Sequence, residues 1–70
     1  MDIQKQFGLN VKKIREELNW SQDLLSEKSS LHRTYISGIE RGIRNPTIEI
    51  VEKLAIALGV PISDFFKDFE

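Results

Sequence analysis

Seventy residues, 40% of them hydrophobic, make one small domain whose core is a single layer of side chains between packed helices. The absence of cysteine excludes a disulfide framework and a thiolate metal site, and the single histidine, His32, argues against a histidine-based one. No apolar run approaches the roughly 20 residues that cross a bilayer and MDIQKQ is no signal peptide, so no membrane role and a cytoplasmic location are expected.

A net charge of −1 speaks at first sight against nucleic acid, whose phosphates are neutralised by Lys and Arg. The distribution answers this. Residues 1–27 carry four basic and five acidic side chains, residues 28–45 four basic and one acidic, and residues 46–70 two basic and five acidic, giving −1, +3 and −3. The positive block consists of Lys28, Arg33, Arg41 and Arg44 against Glu40, and a local patch is what a groove feels.

In chain order, Ile3, Phe7, Val11, Ile14 and Leu18 recur at intervals of four, four, three and four, which predicts a first helix from about Asp2 to Leu18 with a narrow apolar stripe. Leu9 lies off that stripe and Arg15 flanks it. Trp20 reads as a core or staple residue, because one aromatic does not make a surface for single-stranded bases. Ser21 is a good cap for a second helix carrying Gln22, Leu24, Leu25, Glu27 and Lys28, which Ser29 and Ser30 interrupt.

A third helix is predicted from about His32 to Arg41, closed by Gly42 in a left-handed conformation. At about 100° per residue, Ile36 and Ile39 share one side, with Tyr35 and His32 at its edges. Arg33, Thr34, Ser37, Gly38 and Arg41 fall on the opposite arc, small or polar and able to donate hydrogen bonds. Gly38 costs a helix interior about 1 kcal/mol against alanine, so it is either clearance for a partner or simply tolerated.

Pro46 closes the next loop, and Thr47 caps a fourth helix through about Leu58, ended by Gly59. Its buried side is Ile50, Val51, Leu54, Ala55 and Leu58, which leaves Ile56 among Glu49, Glu52 and Lys53. Pro61 opens a short last helix with Asp64 placed for its N-terminal dipole. Phe65, Phe66 and Phe69 crowd the last six residues; one of them can fill the core, and the rest, with Ile56, suggest a self-complementary surface. The bland alternative is a core plug followed by a frayed tail.

The stretch from Trp20 to Asn45 resembles the helix-turn-helix of the lambda-type repressor and Cro (XRE) family. The match runs from Ser-Gln-x-x-Leu at Ser21, Gln22 and Leu25 through Leu31, Ile36, Ser37, Ile39, Glu40 and Gly42 to Asn45-Pro46, and ends in the Leu-Ala-x-x-Leu of Leu54, Ala55 and Leu58. Within the family, the run from His32 to Gly42 is most similar to the controller proteins of restriction-modification systems. Ser26 and Ser30 depart from the family's small alanine and turn glycine, and a Cβ at Ser30 makes a left-handed turn harder.

The resemblance implies a compact, all-α, five-helix lambda-repressor-like domain spanning residues 1–70, with about 48–70 also forming a dimer interface made by Ile56, Phe65, Phe66 and Phe69. It implies a transcription regulator binding double-stranded DNA as a homodimer on a palindromic operator with half-sites about 10 base pairs apart, beside RNA polymerase as a further partner. Arg15 is expected to pair with Glu40; the bland reading is two solvated surface charges. Arg33, Thr34, Ser37 and Gly38 would face the bases, with the fork of Arg33 taking either guanine O6 and N7 or a phosphate. Ser21, Gln22, Tyr35, Arg41, Arg44 and Asn45 would meet the DNA backbone, Gln22 as a phosphate clamp or simply an exposed residue.

No cofactor and no metal is implied. The alternatives on the same fold are an antitoxin-like interaction module and a prophage repressor. An enzyme is not expected, since the chain has no cysteine, one histidine and no evident pair of carboxylates in a pocket.

Overall fold

A computed structural model describes residues 2–68 and places four α-helices and one 3₁₀ turn in them, with no strand among the described residues. The helices are α1 (Ile3–Glu17), α2 (Gln22–Ser29), α3 (Arg33–Glu40) and α4 (Ile48–Leu58), and the 3₁₀ turn is Ile62–Phe66. The all-α expectation therefore holds, but the fifth helix does not form as an α-helix. Five residues after Pro61 close only a single tight turn, with the Asp64 N–H donating to the Pro61 carbonyl at 3.0 Å.

Each helix starts on a side-chain cap. The Asp2 carboxylate accepts from the Gln4 and Lys5 amides, Ser21 from Leu24, His32 Nδ1 from Thr34, and Thr47 from Ile50. Helices α2 and α4 end on residues in the left-handed region, Ser30 and Gly59, and Gly42 takes that conformation just beyond α3. Ser30 adopts φ 61° despite its Cβ, and two neighbouring serines explain how the turn is held. The Ser29 hydroxyl donates to the Leu25 carbonyl at 2.7 Å and accepts from the Leu31 amide, while the Ser26 hydroxyl donates to the Leu31 carbonyl. Alanine at position 26 could not make that last bond.

The core gathers Phe7 and Val11 from α1, Leu25 from α2, Ile36 and Ile39 from α3, Val51, Leu54, Ala55 and Leu58 from α4, and Phe65 from the terminal turn. Leu31 joins it from the turn between α2 and α3, and Trp20 packs at its edge. The expected stripe of α1 is only partly buried. Ile3 and Leu18 at its ends are 68% and 41% exposed, because a 15-residue helix of about 22 Å outruns the core it covers.

Two close fits fix α1. Gly8 faces α3 so tightly that a Cβ on it would lie 2.1 Å from the Ile39 carbonyl oxygen, so the helices approach backbone to backbone. Asn10, 5% exposed, donates both amide hydrogens to the terminal segment, at 2.8 Å to each of the Phe65 and Lys67 carbonyls. Phe65 is fully buried edge-on to Phe7, with ring centroids 5.2 Å apart at 85°. This removes Phe65 from the dimer surface expected for it: the Asn10 tether turns its ring inward. Phe66 stays partly exposed and stacks on Phe7 with ring centroids 5.8 Å apart at 23°. Asp64 lies in the first turn of the 3₁₀ segment as expected, and its carboxylate pairs with Lys67 at 2.9 Å. Phe69 lies outside the described residues.

Candidate nucleic-acid interface

The helices α2 and α3 are held by a buried ionic junction, made of residues from three helices. Arg15 of α1 grips the Glu40 carboxylate of α3 with two parallel bonds, Nε to Oε2 at 2.7 Å and Nη2 to Oε1 at 3.0 Å. Its remaining terminal nitrogen, Nη1, donates to the Trp20 carbonyl at 2.7 Å, tying down the chain between α1 and α2. Hydrogen bonding to Glu40 raises the Arg15 pKa above the ordinary arginine value, outweighing the opposing effect of burial. Gln22 of α2 completes the junction by donating its amide to Glu40 Oε1 at 3.0 Å. The amide nitrogen expected to clamp a phosphate is thus turned inward, and it locks α2 to α3.

On the outward side, Arg33 and Thr34 stand exposed in the first turn of α3, and Ser37 is half-buried one turn on. Arg33 is paired across the turn: its Nε lies 3.0 Å from an Asp23 carboxylate oxygen of α2, with both side chains mostly in solvent. Gly38 does not sit on this surface. The chain after α3 folds back, with the Ile43 and Arg44 amides both donating to the Gly38 carbonyl, and the Arg44 side chain covers the glycine. A Cβ there would meet Arg44 Cγ at 2.8 Å, so Gly38 is buried and has no surface from which to read or clear a base.

Arg44 continues from Gly38 to the face of Tyr35, its guanidinium carbon 5.5 Å from the ring centroid. Tyr35 is accordingly half-buried. Arg41, at the C-terminal end of α3, is exposed and bonds weakly to the Ser37 carbonyl at 3.4 Å. Neither Arg41 nor Arg44 has an acidic partner among the described residues. Asn45 is exposed beyond them, and Ser21 is exposed with its hydroxyl engaged as the α2 cap.

The sequence reading missed Asp23, Gly8 and Asn10. Asp23 and Asn10 act on residues ten and fifty-five positions away, and no local periodicity signals such a pairing. Gly8 carried one usable hint, a glycine beside the Phe7–Val11 stripe of a helix that otherwise has no reason to hold one. Among the described residues no group of His, Cys, Asp and Glu could hold a metal, and no helix is long and apolar enough to cross a membrane.

A helix-turn-helix family model, HTH_3, matches residues 11–65, which takes in α2, the turn, α3 and α4. The chain belongs to this helix-turn-helix family. Its helix-turn-helix relatives include the control protein C.BamHI of Bacillus amyloliquefaciens, 47% identical over 64 residues that make up 90% of this chain and 79% of that protein. The control protein C.MunI of a Mycoplasma species is 40% identical over 70 residues, covering 99% of this chain and 95% of the other. Among solved helix-turn-helix structures, the restriction-modification controller protein C.Esp1396I, crystallised as a tetramer on its natural 35 base-pair operator, superposes with a TM-score of 0.86 and 42% identity, over 94% of this chain and 87% of that one.

Proposed function

We propose that this helix-turn-helix protein is a sequence-specific, double-stranded DNA-binding transcription regulator of the restriction-modification controller type, acting as a homodimer on a palindromic operator. The observation that carries the reading is the exposed start of α3, Arg33 and Thr34 on a rigidly junctioned helix, in a chain similar to a controller protein crystallised on operator DNA. In helix-turn-helix docking the N-terminal residues of the second helix contact base edges and the first helix crosses the backbone. Arg33, Thr34 and Ser37 are assigned to bases on this reading. The backbone contacts are assigned to the cations Arg41 and Arg44 with Asn45, to Tyr35, and to Ser21 and Gln22 at the start of α2, since a helix N-terminus suits a phosphate.

Dimerisation is assigned to the exposed apolar residues Ile56, 74% exposed, and Phe66, 39% exposed. A two-fold dimer would present two α3 helices to successive major grooves about one helical turn apart. Such an operator beside a promoter brings RNA polymerase into reach as a further partner, in the cytoplasm where promoter DNA lies. No cofactor takes part, and the role is binding rather than catalysis.

Selection of bound sequences from random duplex DNA, with affinity followed against salt, tests this. The expected result is a palindromic consensus with half-sites near one turn apart; weak, salt-sensitive binding with no enriched sequence would overturn it. Phe66→Asp should shift the sedimentation coefficient toward the monomer, and an unchanged coefficient would remove Phe66 from the interface.

A further inference from the structure

Asp23 is the second residue of α2, Arg33 the first of α3, and the two side chains meet across the turn at 3.0 Å. At 79% and 62% side-chain exposure the pair adds little to folding. Its position is more informative than its strength, because it holds the side chain assigned to base reading from the helix assigned to the phosphates. We propose that Asp23 is a specificity-determining positioning residue: it orients Arg33 toward a guanine edge and opposes its use as a sequence-independent phosphate contact. The inference rests on the reading of Arg33 as a base contact.

The geometry gives two reasons. Asp23 approaches the guanidinium at Nε, its neck, and a guanidinium held there keeps its terminal Nη1–Nη2 edge for the paired acceptors O6 and N7 of guanine. An arginine without such a restraint can swing to a phosphate, which every sequence offers. The second reason is charge. Asp23 stands next to Gln22 in the first turn of α2, where the proposed docking brings the DNA backbone, and a carboxylate there repels phosphate. That repulsion is offset while Arg33 stays paired beside it and is felt in full when Arg33 leaves for a phosphate. Specificity is a difference between affinities, and this arrangement lowers the wrong one.

An acidic residue in the first turn of a helix also complements the helix dipole, a role that does not depend on Arg33. A double-mutant cycle separates the two. The native protein, Asp23→Asn, Arg33→Ala and the double variant are titrated by fluorescence anisotropy against the selected operator, the same operator with the guanine opposite Arg33 replaced, and an unrelated duplex, each over a range of salt.

Asp23→Asn should lower the preference for the operator over the changed site by about 5-fold, the lower end of what one bidentate guanine contact discriminates. The loss should come through tighter binding to the changed and unrelated duplexes, with a non-specific salt slope steeper by about 0.9, one further phosphate contact. In the Arg33→Ala background Asp23→Asn should tighten binding to all three duplexes alike and leave the preference among them unchanged, and Asp23→Glu should keep the native preference. Thermal melts of all variants serve as the check on folding.

A preference unchanged in Asp23→Asn but lost in Arg33→Ala overturns the role of Asp23 and leaves base reading standing. An Asp23→Asn effect on the preference for the operator that persists without Arg33 also overturns it, since Asp23 would then discriminate sequences without acting through the arginine. If Arg33→Ala leaves the preference intact, base reading by Arg33 fails and the inference fails with it.

Discussion

Removing the guanidinium from the three-helix junction should be among the most damaging single changes available to this domain. Arg15→Met keeps most of the aliphatic stem but leaves the Glu40 carboxylate, 3% exposed, with the Gln22 amide as the survivor of three donor contacts, and it strips the Trp20 carbonyl of its donor. Stranding one partner of a buried ion pair costs about 3–5 kcal/mol. At roughly 0.05–0.15 kcal/mol per residue, a chain of this length has on the order of 3.5–10 kcal/mol to lose. With about 4–8 °C lost per kcal/mol in a domain of this size, the melting temperature should fall by about 12–40 °C.

Urea and thermal melts followed by far-UV circular dichroism measure this directly. Adding Glu40→Met to Arg15→Met should recover much of the loss, because an apolar pair of similar volume leaves no charge stranded. A cost under about 1 kcal/mol for Arg15→Met would mean that the pair behaves as a solvated surface bridge. A double variant no better than the single would place the damage in packing rather than charge. The pH dependence has a definite sign. A folded-state arginine pKa raised above its unfolded value contributes stability that is full below the unfolded value and fades only as pH rises through the folded one, so Arg15 should give no pH dependence around neutrality.

Three glycine or glycine-like positions give contrasting expectations. Gly8→Ala drives a Cβ into the Ile39 backbone carbonyl and should cost about 1–3 kcal/mol or more in urea unfolding as α1 is pushed off α3; a change below about 0.5 kcal/mol would refute the close approach. Gly38→Ala meets only the flexible stem of Arg44, so stability should hold or rise by up to about 1 kcal/mol on helix propensity while operator affinity falls as Arg44 is displaced; lost stability with intact affinity would contradict this. Ser30→Gly relieves a left-handed residue of its Cβ and should raise stability by about 1 kcal/mol in the same melts, and a loss would mean that the Ser30 side chain itself holds the turn.

Signals that act within one turn of helix were legible in the sequence, and they set the elements. Ser21 and Thr47 as caps, Gly42 and Gly59 as left-handed residues, and the inward positions Ile36, Ile39, Val51, Leu54 and Leu58 are properties of a residue and its neighbours up to four positions away. The same locality marked the motif from Ser21 to Asn45 and the positive block on it. Tertiary structure alone decided which polar groups meet. Gln22 turns to Glu40 rather than outward, Asp23 engages Arg33, and Arg44 folds over Gly38, each because two segments converge after the chain reverses. Phe65 and Phe66 are adjacent and chemically identical, and no sequence pattern tells which is the core residue. The Asn10 amide settles it from fifty-five residues away by holding the Phe65 carbonyl, which turns one ring inward in a T-shaped contact with Phe7 and leaves the next partly in solvent.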